Sequence, residues 1–201
     1  MSVRLLCLRH AESENVVAGA AGALPGAELT PRGRAQAARA AHLLRAEGIA
    51  KVYAGDAVRA RRTAEIIAGT LDADVAVLPA LAEMGLGGAE GTKDRAVRAR
   101  TAEVLRSWVV DGDLRAAVGD GEDGQAVTAR VIAALTSIAA AHPGGTVAVV
   151  GHVASLTAGL SVLCGLGGRV WGSPLPFATP FLVEHDGGSW HCRTWPPECW
   201  V

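Results

Sequence analysis

The chain has 201 residues, half of them apolar, which suits one domain with a sizeable buried core. Its net charge is −1 and its arginines are spread along the chain, so nothing points to nucleic acid or an acidic membrane as a partner. The first residues lack the pattern of a signal peptide, and the apolar runs are broken by Gly, His or Arg before bilayer length. A soluble, cytoplasmic protein is expected.

Residues 3–9 form an apolar run of strand length, as in a buried parallel strand. Residues 11–28 are small and Gly-rich and read as a loop. Thr30 before Pro31 is an N-cap followed by a favoured first helical residue, and a helix is expected from there to about Glu47, closed by Gly48. Residues 51–54 read as a second strand, about 57–70 as a helix and 74–78 as a third strand at a sheet edge. Residues 85–91 read as a flexible loop, 93–109 as a helix, and 111–124 as an acidic Gly-rich loop. A helix from about Gln125 to Ala141 stops before His142-Pro143-Gly144-Gly145. Residues 146–151 are the clearest strand, 153–164 look helical, and 180–185 with 189–195 suggest a hairpin. Strands alternating with helices imply an α/β three-layer sandwich on a mostly parallel central sheet. No linker divides the chain, so a single domain over residues 1–201 is expected.

Two segments share one shape. LCLRHAES, residues 6–13, and AVVGHVAS, residues 148–155, are buried strands that end in a histidine. Open α/β sheets bind ligands outside the carboxyl ends of their strands, so His10 and His152 stand where a site is expected. His42, His142, His185 and His191 read as ordinary structural or surface residues. Metal binding is one use for a histidine pair. Arg9 beside His10 disfavours a metal and suits an anion, because a guanidinium fork matches phosphate oxygens. Arg59 adds a third cationic group at the start of a helix, although Arg61 and Arg62 after it suggest a solvated face. Nearby cations keep His10 unprotonated and free to attack phosphorus. A leaving alkoxide needs a proton, for which Glu83 is the best candidate, with Glu90 and Glu12 as alternatives. Cys7, Cys164, Cys192 and Cys199 form no CxxC, the sequence holds no Walker or GxSxG motif, and GLGGAEG (85–91) does not satisfy GxGxxG because Glu90 stands where the third Gly should be. No cofactor is expected.

These segments resemble the histidine phosphatase superfamily, the phosphoglycerate-mutase-like enzymes. LCLRHAES is similar to its Arg-His-Gly-Glu motif, LTPRGRAQA (residues 29–37) to a helix start, and YAGDAVRARRTAEIIA (53–68) to the stretch bearing its arginine. LAEMGLGGAEG (81–91) resembles the stretch carrying its acid, and VAVVGHVAS (147–155) the strand bearing its second histidine. The resemblance implies that His10 forms a phosphohistidine. It implies that Arg9, Arg59 and His152 hold the phosphoryl oxygens, and that Glu83 protonates the leaving oxygen and then activates water, all without a metal. Ser13 and Asn15 are further substrate-binding candidates, with Asn15 one residue closer to His10 than the common family asparagine. Ala11 and Val153 replace glycines of the family pattern and are expected to narrow the pocket. Ala54-Gly55 replaces a Ser-Ser pair, and Arg62 stands at a glutamine position.

The leading expectation is a metal-independent histidine acid-type phosphatase, a phosphomonoester hydrolase acting on a small phosphorylated metabolite. A compact length favours it over a phosphoglycerate-mutase-type phosphoryl transferase. A catalytically weak binding protein on the same fold is a third reading, and a metal-dependent hydrolase a distant fourth. The specificity region is expected in loops 11–28 and 85–91 and the helix near 93–109. Its small apolar character leans towards a modest, partly apolar leaving group. A homodimer stays open, since five tryptophans, three of them after residue 189, can serve a core or an interface.

Overall fold

The computed structural model describes residues 2–196. Six strands form one sheet in the order β3-β2-β4-β1-β5-β6. They are β1 (Val3–Arg9), β2 (Ile49–Ala54), β3 (Asp74–Val77), β4 (Thr146–Gly151), β5 (Phe181–His185) and β6 (Trp190–Cys192). The first four in spatial order run parallel, and β5 and β6 close the sheet antiparallel. The expected hairpin and the edge position of the third strand are both present.

Helices cover both faces. Strand side chains alternate, so Leu6 and Leu8 of β1 face one layer while Leu5 and Cys7 face the other. Leu6, Leu8, Val52 and Val150 pack against α2 (Pro31–Leu44) and α3 (Val58–Leu71). Leu5, Val147 and Val149 pack against Val131, Leu135 and Ile138 of α5 (Gly124–Ala141) and Leu156 and Leu160 of α6 (Val153–Leu163). The result is the three-layer α/β sandwich.

The local rules that start helices operate as the sequence suggests. Thr30 Oγ1 accepts from Gly33 N at 2.9 Å, and Asp123 accepts from Ala126 N at 2.8 Å. Gly33 has a second constraint: a Cβ there would stand 2.0 Å from the Glu12 carbonyl oxygen.

Some boundaries differ. A single turn of helix, α1 (Glu14–Val17), interrupts the loop expected over 11–28. The first long helix stops at Leu44, three residues before the expected end. The helix expected over 93–109 is α4 (Arg95–Arg106), capped by Asp94, and it widens into a π turn, Ser107–Asp111, before Gly112 at φ +71°. The expectation that no apolar run reaches bilayer length is corrected by α5. By length and composition alone this 18-residue helix is long and apolar enough to cross a membrane. Its Val127, Val131, Leu135 and Ile138 side chains are buried in the interior. Cys199 lies outside the described residues.

Candidate active site

Adjacent parallel strands bring their carboxyl ends to one edge of the sheet. His10 N donates to Gly151 O at 2.9 Å and Gly55 N to Val150 O at 3.1 Å, which locks the ends of β1, β4 and β2 together. His10 and His152 follow β1 and β4, and their ring centroids lie 5.1 Å apart.

The His10 ring is oriented by the backbone. Its Nδ1 lies 2.7 Å from the carbonyl oxygen of Ala11. A carbonyl only accepts, so in the neutral ring Nδ1 carries the proton and Nε2 keeps a lone pair. Burial, then Arg59 and Arg9, hold the His10 pKa well below the usual imidazole value, against the opposing pull of the Ala11 bond. His152 is lowered by burial, then by His10, Arg59, Arg9 and Arg130. Both rings are neutral at pH 7.

Arg59 is almost wholly buried, not solvated. One helical turn on, Thr63 shares its buried face, while Arg61 and Arg62 point outward. Arg59 Nε donates to His10 Nε2 at 3.3 Å, Nη1 donates to Leu24 O at 2.7 Å, and Nη2 stands 3.2 Å from His152 Nδ1. Burial lowers its pKa, and Glu83, Glu90 and Asp56 pull it back. Arg9 donates to Leu175 O at 3.2 Å and sits 3.9 Å above the Phe177 ring, a cation–π contact. Burial lowers Arg9 to about 10, so it stays charged at neutral pH.

Glu83 meets the amino end of α6. Its Oε1 accepts from Met84 N and Ser155 N, each at 2.9 Å, and Oε2 from Ala154 N at 3.2 Å. His152 is the N-cap residue of α6 but makes no side-chain cap, so Glu83 satisfies the orphan N–H groups instead. The other acidic candidates are engaged elsewhere. Glu90 ties Leu86 N to Ala23 N, and Glu12 accepts from Thr30 Oγ1 at the start of α2.

A cavity of about 340 Å3 opens on this cluster, lined by Arg9, His10, Arg59 and Glu83, with Asn15 and the exposed Arg98 also on its wall. His152 supports Arg59 from behind. Ser13 does not line the cavity; it is fully buried and its hydroxyl donates to Asn15 Oδ1 at 2.7 Å. Val153 lies on the cavity wall, as a narrowing residue should. Ala11 does not; it is buried in the core layer with Leu8, Ala37 and Ala60. Gly55 faces His152. A Cβ there would stand 2.8 Å from Leu81 O and 3.2 Å from His152 Nε2. That Nε2 is buried with no hydrogen-bond partner among the described residues. The described residues contain no group of three or more His, Cys, Asp or Glu side chains that could hold a metal.

A family model described as the histidine phosphatase superfamily (branch 1) matches residues 5–196. The chain belongs to this superfamily. Among curated relatives, an adenosylcobalamin/alpha-ribazole phosphatase of Salmonella typhimurium is 34% identical over 129 residues, 64% of this chain and 63% of that protein. A probable phosphoglycerate mutase GpmB of Cronobacter sakazakii is 32% identical over 138 residues, 69% of this chain and 64% of that protein. The chain thus aligns with less than two thirds of the length of these relatives. Among solved structures, Bacillus stearothermophilus YhfR superposes with a TM-score of 0.82 at 28% identity, covering 96% of each chain. A mycobacterial glucosyl-3-phosphoglycerate phosphatase gives 0.82 at 25% identity, covering 97% of this chain and 99% of that one.

This superfamily member also uses residues that sequence reasoning missed. Arg130 of α5 pairs with both carboxylate oxygens of Glu122 at 2.9 Å and donates to the carbonyls of Ala80, Ala82 and Glu83. It thereby anchors the segment carrying Glu83. Glu122 and Asp120, from the acidic loop, accept from Gly85 N and Gly88 N. Thr63 Oγ1 accepts from Ala11 N at 3.0 Å and donates to Arg59 O at 2.7 Å, joining the His10 loop to the arginine helix. Its spacing of four from Arg59 was the one available signal. Phe177 is placed by the bond from Ala178 N to Arg9 O, in a segment without periodicity.

Proposed function

We propose that the chain is a metal-independent phosphomonoester hydrolase acting on a small phosphorylated metabolite, with His10 as phosphoryl acceptor. One observation carries this reading: the Ala11 carbonyl holds the His10 proton on Nδ1, which leaves the Nε2 lone pair facing the buried Arg59 guanidinium in a cavity that Arg9 also lines. A phosphate dianion entering the cavity compensates those charges and takes Arg59 Nε away from the lone pair. Nε2 then attacks phosphorus as the bond to the leaving oxygen breaks. Arg9 and Arg59 stabilise the charge on the phosphoryl oxygens, with His152 holding Arg59 in place from behind. Glu83 Oε2, with one longer hydrogen bond, is the freer of the two oxygens, and in the acid form of Glu83 it gives its proton to the leaving alkoxide. The same carboxylate then takes the proton of the water that cleaves the N–P bond, releasing inorganic phosphate.

The phosphatase names among the relatives, including one acting on alpha-ribazole compounds, support hydrolysis. The mutase name of GpmB-type relatives supports a second reading, phosphoryl transfer between two hydroxyls of one substrate. Phosphate release from a panel of sugar phosphates, nucleotides and phosphoglycerates decides between them. Hydrolysis predicts stoichiometric release by the wild type with chelator present and none by His10→Ala. Retention of label on an isomerised phosphoglycerate, without release, supports the mutase.

A further inference from the structure

A second cavity, of about 330 Å3, lies beside the catalytic one. The two share Ala102 and Leu105 of α4 and Val153 of α6 in their walls. The far side of the second cavity is made by the segment following α6, with Val170, Trp171 and Ser173. Trp171 is 39% exposed, and its indole N–H makes no hydrogen bond among the described residues. A large ring left half in water beside an apolar hollow is a surface that gains by being covered. The volume falls in the range of small-molecule sites.

We infer that the second cavity is the subsite for the distal part of the substrate's leaving group, and that this part is a flat apolar ring covering Trp171. Adjacency to the catalytic cavity, with Val153 lining both, favours substrate over any other occupant. The inference rests on the hydrolase reading and deepens it: the preferred substrates are phosphate monoesters whose alcohol carries an aromatic or heteroaromatic group a short linker away. Val153 acquires a role. It is larger than the glycine of the family pattern, and it forms the shoulder over which the linker passes.

The test uses two alkyl esters with matched leaving oxygens, 2-(2-naphthyl)ethyl phosphate and ethyl phosphate, together with the corresponding phosphonates for binding without turnover. The wild type is expected to favour the naphthyl ester at least tenfold in kcat/KM, about 1.4 kcal/mol, and to bind the naphthyl phosphonate correspondingly more tightly. Trp171→Ala, at an exposed position, and Ser173→Phe, which fills the cavity from its far side, should each bring both ratios down towards one. Ratios near one in the wild type, or ratios kept in both variants, overturn the inference. So does removal of residues 197–201 raising turnover of both esters alike, which would assign the cavity to the chain's own end. If neither ester releases phosphate while the phosphonate preference persists and falls in Trp171→Ala, the subsite stands and the hydrolase reading fails.

Discussion

Arg59 Nε donates to His10 Nε2 at 3.3 Å, so the cation that should hold phosphate engages the lone pair that should attack it. Arg59 must exchange this contact for a phosphoryl oxygen. Lysine lacks the planar fork needed to keep Leu24, His152 and the phosphate engaged together. Arg59→Lys should therefore lower kcat/KM for an aryl phosphate by about 10²–10³-fold, the usual cost of one transition-state donor. Steady-state kinetics checks this; a loss below threefold would remove Arg59 from phosphoryl stabilisation.

Both site histidines have folded-state pKa values well below the ordinary imidazole value of 6.5. Below about pH 6.5 the unfolded chain therefore binds protons that the folded chain refuses. Their contribution to stability is complete above that pH and is lost as pH falls towards the folded values. The limiting slope is about 1.4 kcal/mol per pH unit per histidine. Urea unfolding at pH 7.5 and 5.5 should show a smaller acid loss in His152→Asn than in the wild type. Equal losses would mean that His152 is not held neutral.

Arg130 positions Glu83 through carbonyls on both sides of it. Arg130→Met should destabilise the fold by about 2–4 kcal/mol, because Glu122 and those carbonyls lose a charged partner. It should also slow alkyl phosphates more than activated aryl phosphates, the same leaving-group signature expected of Glu83→Gln. A stability loss with no change in leaving-group dependence would leave Arg130 a purely structural residue.

Much of the fold was legible because short apolar runs, Gly stops and Thr or Asp caps act locally. His10 and His152 were legible for the same reason: each ends such a run. Arg59 was legible only in company with His10, His152 and the family pattern, because alone it could not be told from the solvated Arg61 and Arg62. Packing of α3 onto the sheet is what buries it. Arg130 and Phe177 carried no signal, since their partners are distant carbonyls and a distant guanidinium. Ala11 misled in the other direction. Its methyl group points into the core layer, so the narrowing expected from it falls to Val153 alone.

Thr63 joins the two halves of the site through a single hydroxyl. Thr63→Val keeps the volume but leaves Ala11 N–H buried without an acceptor, at a cost of about 1–3 kcal/mol. Thermal unfolding should show the loss, and Thr63→Ser should recover most of it. Failure of serine to recover would place the effect in packing of the methyl group.

The central claim is that His10 Nε2 accepts the phosphoryl group, because Nδ1 is committed to the Ala11 carbonyl. Rapid quench during turnover, followed by phosphorus NMR of the isolated phosphoenzyme, tests it most directly. The account predicts an acid-labile phosphohistidine substituted at Nε2, mapped to His10 and absent from His10→Ala. A phosphoryl group on Nδ1 or on another residue, or wild-type turnover in His10→Ala, would contradict it.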